Sequence, residues 1–235
     1  MLRRYLEQTL ERLYPPTCVL CGAAGRGGLD LCAGCVADLP RNRHRCARCA
    51  LPLAPTAAAQ ALCGACQRQP PPFDLCSAAF RYDEPMPALV GGAKFRSRMD
   101  LVRLLGCCLA RALREDDVEM PDAIVPVPLH PRRLRERGYN QALEIARVVS
   151  RELGVPIDAR SCARILSTAP QAGLAQKQRR RNVRGAFQVV RTPAATRIAI
   201  LDDVVTTGST VAELAKVLRN AGVGRVQVWA VARTP

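Results

Sequence analysis

Lysine is almost absent from this 235-residue chain: of its 35 basic residues, only Lys94, Lys177 and Lys216 are not arginine. With the abundant alanine, that imbalance points to a GC-rich genome rather than to a special chemistry. Aromatic residues are scarce too, at 4%, which leaves few platforms on which single-stranded bases can stack. No apolar run approaches the ~20 residues that span a bilayer, so no membrane insertion is expected. Residues Met1 to Tyr14 carry charges throughout and lack an apolar core, which argues against a secretory signal. Acids are outnumbered 20 to 35, for a net charge of +15. Such a surplus suits polyanionic partners such as nucleic acid, but it serves a small, highly charged anion equally well.

Cysteine is plentiful. Eight of the twelve cysteines form the pairs Cys18-x-x-Cys21, Cys32-x-x-Cys35, Cys46-x-x-Cys49 and Cys63-x-x-Cys66. We place the protein in a reducing cytoplasm, where paired cysteines bind metal more readily than they form disulfides. Each pair can form a tight knuckle, and two knuckles complete a tetrahedral site. The simplest grouping follows the chain, Cys18, Cys21, Cys32 and Cys35 for one ion and Cys46, Cys49, Cys63 and Cys66 for the other; an interleaved grouping also fits. Few large apolar residues lie between Cys18 and Cys66, so metal must supply the folding energy there. Four thiolates per site leave no position for a catalytic water, which makes the two expected Zn²⁺ ions structural. His44 is an alternative ligand. Arg41, Arg43, Arg45 and Arg48 around it can face nucleic-acid phosphates or solvent. Upstream, Leu2, Leu6, Leu10 and Leu13 mark one face of a helix ended by Pro15-Pro16. Downstream, Gln67 to Pro72 reads as an extended, proline-rich linker. The expected organisation is a helix over 1–16, a Cys-rich double zinc-ribbon module over 17–69, and an α/β domain over 73–235.

That domain is organised around Arg197 to Leu214. Ile198 to Leu201 reads as a buried parallel strand. Asp202 and Asp203 follow, then the turn Thr206-Thr207-Gly208-Ser209-Thr210, then Val211, Leu214, Ala215 and Leu218 at helical spacing. The turn sets N–H groups and hydroxyls at a helix N-terminus, where a phosphate is favoured, and Gly208 lets the backbone approach it. The carboxylates suit sugar hydroxyls or a hydrated Mg²⁺. A ribose 5-phosphate has both features. The lysine of a Walker A loop and the spacing of G-x-G-x-x-G are both missing. Four apolar residues, two acids and a Thr-Thr-Gly loop resemble the motif with which type I phosphoribosyltransferases bind 5-phosphoribosyl 1-pyrophosphate (PRPP).

Further strands are expected over 77–82, 123–127, 161–166, 187–190 and 225–231, and helices over 87–95, 99–113 and from 141 to 152. Together they predict a parallel sheet of about five strands with the acidic strand inside it. The stretch from Pro131 to Gln141 reads as a basic loop at a strand end, where open α/β sheets bind ligands. His130, Arg132, Arg133, Arg135 and Arg137 are its candidates for gripping a pyrophosphate. Asn140 is the expected cap of the next helix. Lys94, just after Gly91 and Gly92, is within reach of a phosphate on the same reasoning. No acid occurs between Ala159 and Leu201, while nine Lys or Arg do. Residues 168–185 therefore read as a nucleic-acid contact or a lid over an anionic ligand. No feature after the motif specifies a nucleobase.

The Cys pairs are followed by V-P-V-P-L-H from Val125, R-x-R-G-Y-N-Q from Arg135, T-x-x-Q from Thr168, R-x-x-N-V-x-G-A-F from Arg179 and L-D-D-V-V-T-T-G from Leu201. Over nearly its full length the chain resembles the ComF family of competence-associated proteins. The resemblance implies a double zinc-ribbon module joined to a parallel-sheet, type I phosphoribosyltransferase-like domain. It implies that Asp202 and Asp203 face ribose hydroxyls and that Thr206, Thr207, Gly208, Ser209 and Thr210 wrap the 5-phosphate of PRPP, bound with Mg²⁺. His130 to Arg137 then correspond to the pyrophosphate loop, and Gln171, Lys177, Arg181 and Asn182 belong to the flexible loop. It further implies a role in DNA uptake during natural transformation, with other uptake proteins as partners; the basic Arg41–Arg48 cluster and the acid-free Arg160–Arg197 span predict salt-sensitive contact with single-stranded DNA. Whether a phosphoribosyl group is transferred is a separate question. Two other readings fit the same residues: a salvage phosphoribosyltransferase acting on a nucleobase, and a zinc-ribbon DNA-binding protein with a vestigial ligand domain.

Overall fold

The structure is a computed structural model that describes residues 16–58, 60–95, 98–167 and 183–235. The expected helix over 1–16, apart from Pro16, and the flexible-loop candidates Gln171, Lys177, Arg181 and Asn182 lie outside the described residues.

Contacts divide the chain into two compact units, Met1–Pro40 and Arg41–Pro235. The first holds helix α1 (Ala33–Ala37) and two single-residue bridges, Thr17 with Ala24 and Arg26 with Leu29. The second holds, in chain order, α2 (Gly64–Arg68), β1 (Leu75–Arg81), α3 (Met86–Phe95), α4 (Met99–Glu115), β2 (Ala123–Pro126), α5 (Pro131–Arg137), α6 (Gln141–Leu153), β3 (Cys162–Arg164), β4 (Phe187–Val189), β5 (Arg197–Val205), α7 (Ser209–Asn220) and β6 (Arg225–Arg233).

The proline-rich linker does not separate the units. The segment before it is hydrogen-bonded onto the sheet domain: Asn42 N–H donates to Ala79 C=O at 3.1 Å, and Cys76 N–H to Arg48 C=O at 2.9 Å. Arg41 pairs with Glu115 and Arg45 with Asp116, each at 2.8 Å, at the end of α4. Arg48 reaches Pro71 C=O, while Arg43 is exposed. Three of the four clustered arginines are thus engaged by the protein itself.

One parallel sheet runs β1-β6-β5-β2. Ile198, Ala199, Ile200 and Leu201 are all at 0% exposure. Successive strand residues point to opposite faces, so burial of all four means that both faces are covered. Helix α6 packs on β5 and β2, α4 on β1 and β6, and α7 on β5 and β6. The apolar face of α4 (Leu101, Leu104, Leu105, Leu109, Leu113) is buried, as is Trp229 on β6. Helices α4 and α6 cross at Gly106, where an added Cβ would lie 2.6 Å from Val148 Cβ. Only a glycine lets these helices approach so closely.

Two expectations are corrected. Among the described residues the sheet has four parallel strands, and Phe187–Val189 is not one of them; it pairs antiparallel with Cys162–Arg164. The reason is visible in its burial. Phe187 is buried and Gln188 exposed, the one-sided pattern of a strand that covers a single face. The second concerns Pro131 to Arg137, which is a helix and not a loop. Pro131 opens it, His130 Nδ1 accepts from Arg132 N–H, and Gly138 closes it at φ 80°. These are the terminal signals that a short helix needs.

Strand β2 stops at Pro126, opposite Leu201, whereas β5 continues to Val205 beside β6 alone. Among the described residues the end of β5 therefore has a free edge, and it begins at Asp202.

Candidate functional site

The eight paired cysteines form two clusters, each grouped along the chain: Cys18, Cys21, Cys32, Cys35 and Cys46, Cys49, Cys63, Cys66. Within each cluster the four sulfurs lie within 4.8 Å of one another. Each first knuckle is closed by a residue in the left-handed region. Gly22 has φ 77° and Ala50 has φ 54°, and their N–H groups donate to the carbonyls of Cys18 and Cys46. His44 is exposed and belongs to neither cluster.

The donor set fits Zn²⁺. Burial pushes the Cys46 thiol up, but N–H donors from Cys63, Cys49 and Arg48 outweigh it and bring it down to about 7. Cys18 is brought to about 6 in the same way by the N–H groups of Cys32, Leu20 and Cys21. Cys35 is pushed up by the sulfurs around it, and Cys66 by burial and by its sulfur neighbours. Four crowded sulfurs ionise together only around a cation, and a tetrahedral dication meets that need. These sites are consistent with two structural zinc ions. Cys76, Cys107, Cys108 and Cys162 lie outside both clusters, and burial pushes Cys76, Cys108 and Cys162 up to about 12.

At the free end of β5, Asp202 and Asp203 stand side by side. Asp202 Oδ1 accepts from Asp203 N–H at 2.9 Å, and Asp203 Oδ1 from Val204 N–H at 2.8 Å. Burial and the neighbouring Asp203 carboxylate push the Asp202 acid up to about 8, against the pull of Lys94. Gly208, at φ 75°, caps α7, and Thr207 Oγ1 lies 2.8 Å from Ser209 Oγ. A Cβ at Gly208 would meet only Val205 Cγ1, at 3.9 Å. Glycine is needed there for its backbone conformation and not for space. Arg233, 6% exposed, donates from Nη1 to the carbonyls of Val205 and Thr206 and from Nε to Cys49 C=O at 3.2 Å. One buried guanidinium thus joins the turn to the second cysteine cluster.

Helix α5 sorts the five basic candidates that precede it or lie on it. Arg133 and Arg137, one turn apart, are half-buried, and Arg137 interacts electrostatically with Asp203. Arg132 and Arg135 are exposed, and Arg132 pairs with Glu136 at 3.0 Å. His130 caps the helix. Asn140 occupies the cap position of α6, but its side chain donates to Val127 C=O at 3.0 Å instead.

Four more side chains belong to the site. Lys94 Nζ lies 2.9 Å from Asp203 Oδ2. Arg164 on β3 lies 5.5 Å over the Phe187 ring and is drawn towards Asp202. Gln141 accepts from Arg137, and its buried Nε2 has no hydrogen-bond partner among the described residues. Arg233 is the fourth. Lys94 had a signal in the sequence, a rare lysine beside two glycines, and Gln141 closes the R-x-R-G-Y-N-Q motif; Arg164 and Arg233 had none. Beside α5, a cleft of about 420 Å³ is lined by Pro126, Pro128, Leu134, Tyr139, Leu143 and Arg164, among others.

The family model of the double zinc ribbon domain matches residues 9–78. Competence protein F of Haemophilus influenzae is 36% identical over 210 residues, 86% of this chain and 90% of that protein. The chain belongs to the competence protein F (ComF) family. DNA utilization protein YhgH of Salmonella typhimurium is 36% identical over 208 residues, 87% of this chain and 90% of its own. YhgH of Escherichia coli K12 is 35% identical over 227 residues, 94% of this chain and 98% of its own. Among solved structures, the chain is similar to the glutamine PRPP amidotransferase of B. subtilis complexed with ADP and GMP. That match has a TM-score of 0.36 at 20% identity and covers 55% of this chain and 26% of that one. A purine phosphoribosyltransferase of Pyrococcus horikoshii matches with a TM-score of 0.35 at 18% identity, covering 57% and 73%. No described helix is long and apolar enough to cross a membrane.

Proposed function

We propose that this ComF-family protein serves DNA uptake and utilization, with an α/β domain that binds PRPP. The carrying observation is the free end of β5. Two carboxylates and a left-handed glycine turn into α7 are set there, and Lys94 and Arg137 converge on the same acid. Asp202 and Asp203 accept from the ribose hydroxyls. The turn Thr206, Thr207, Gly208, Ser209 and Thr210 holds the 5-phosphate at the N-terminus of α7. Arg133 and Arg137 take the pyrophosphate, and Mg²⁺ enters as part of the substrate. Phosphoribosyl transfer requires little more of a protein than this positioning and charge neutralisation.

Single-stranded DNA is the proposed macromolecular partner, in keeping with the names of the relatives. The arginines available to it are not those of the second zinc ribbon, where Arg41 and Arg45 are paired with acids. Exposed Arg160, Arg184 and Arg191 lie in a span without acids and fit a phosphate backbone better. Calorimetric titration with Mg²⁺–PRPP, beside titration with single-stranded DNA at several salt concentrations, tests both halves. PRPP should bind, and DNA affinity should fall steeply with salt. Absence of PRPP binding overturns the ligand half, and salt-independent DNA binding overturns the other.

The cleft beside α5 favours a second reading, a salvage enzyme whose acceptor base lies against proline rings. Pyrophosphate release with a panel of nucleobases distinguishes it, since only the salvage enzyme turns over on a free base.

A further inference from the structure

Lys94 is a cation spent on an acid that a substrate would need. It stands in the last turn of α3, and its backbone is held on two sides. An added Cβ at Gly92 would lie 2.5 Å from Leu101 Cδ1, so α3 lies tight against α4. The Tyr139 hydroxyl donates to Ala93 C=O, which ties the same turn to the corner between α5 and α6. From that fixed base the side chain reaches Asp203 Oδ2 at 2.9 Å.

The pair is unequal. The Asp203 side chain is 12% exposed, while that of Lys94 is 29% exposed. Asp203 is anchored by Val204 N–H on its other oxygen, whereas Lys94 is a point charge on a flexible four-carbon stem. The lysine is the partner that can leave. Arg137, on α5, acts on both Asp203 and Lys94, so the two cations approach one carboxylate from different elements. In this arrangement Lys94 offsets the repulsion between Asp202 and Asp203. It also occupies the oxygen to which a ribose hydroxyl would donate.

We propose that Lys94 is a pyrophosphate-binding residue held in reserve on Asp203. A sugar that carries a 1-pyrophosphate offers the ammonium a second anion close by. Lys94 moves to it and frees Asp203 for the hydroxyls. Ribose 5-phosphate, which lacks that anion, must compete with the ion pair and gains nothing from Lys94. The residue therefore discriminates between the two ligands. This inference rests on the PRPP reading above.

The test is the ratio of two affinities, for Mg²⁺–PRPP and for ribose 5-phosphate, in the full chain. Lys94→Met should weaken PRPP binding at least tenfold and leave ribose 5-phosphate binding unchanged or tighter. Lys94→Arg, which keeps the charge, should restore most of the ratio. A partly unfolded variant lowers both apparent affinities by one factor and leaves the ratio intact. Equal loss for both ligands, or no change for either, overturns the role of Lys94 while the PRPP reading stands. A wild-type chain that binds neither ligand overturns the PRPP reading itself.

Discussion

Asp202 carries the heaviest electrostatic burden in the site. Loss of solvent around its half-buried carboxyl and the neighbouring Asp203 carboxylate push its acid from an unfolded value of about 4 up to about 8. A carboxyl whose pKa rises on folding holds its proton more tightly in the native state. The stability it contributes is fully present below the unfolded value and is lost as pH rises through the folded one. Asp202→Asn removes that loss and keeps an oxygen for Asp203 N–H. The melting temperature of this variant should therefore exceed wild type by a margin that grows from about pH 5 to about pH 9. The same charge that costs stability is what a ribose hydroxyl needs. A hydrogen bond to a charged partner contributes about 1.5–3 kcal/mol, so above about pH 8, where Asp202 is ionised, Asp202→Asn with Asp203→Asn should weaken PRPP binding by roughly two to four decades. Melts across pH and a calorimetric titration of the double variant check both expectations. PRPP affinity equal to wild type in the double variant would mean that the pair only caps the turn.

At the scale of elements, α5 acts as a sorting device. Its half-buried arginines lie one turn apart, Arg137 acting on Asp203, and its exposed ones face water. Arg133→Ala and Arg137→Ala should each weaken PRPP binding by about one to two decades, on the same estimate for a charged hydrogen bond. Arg132→Ala and Arg135→Ala should change it less than about twofold, as expected for exposed ion pairs. Binding isotherms of the four single variants measure this directly, and equal effects at all four would show that the segment acts as a loop. That division was not legible in the sequence. Seven residues rich in arginine, next to a glycine, look like a loop until the capping by His130 and the left-handed Gly138 are known. The strand–acid–turn–helix unit was legible because every signal in it is local. Membership of Phe187–Val189 in the sheet was not, because pairing joins distant segments and three residues carry too little pattern to assign them. Lys94 was singled out by its rarity, but its partner lies on a strand far along the chain. The eight candidate zinc ligands were legible from spacing alone, while their grouping into two clusters needed the three-dimensional structure. Ala50 does in the second cluster what Gly22 does in the first, and no rule of composition would have chosen an alanine for it.

At the scale of the molecule, the two metal clusters belong to different compact units. They should respond differently to loss of metal. The wild-type chain should carry two zinc ions, measured by elemental analysis. Cys18→Ser with Cys21→Ser should remove one ion and leave PRPP binding in place. Cys46→Ser with Cys49→Ser should also remove one ion, but lower the melting temperature of the larger unit and weaken PRPP binding with it. The link is Arg233, bonded at once to Cys49 C=O and to the carbonyl of Thr206. Identical effects of the two double substitutions would mean that this link transmits nothing. The placement of Arg233 also decides where the molecule can be recombined. A crossover between family members at the proline-rich linker would pair one parent's metal knuckle with the other parent's sheet, and every bond across that seam would have to be inherited from both. A crossover at Pro40 cuts none of these bonds. The join that looks natural in the sequence is therefore the one that chimaeras should tolerate least.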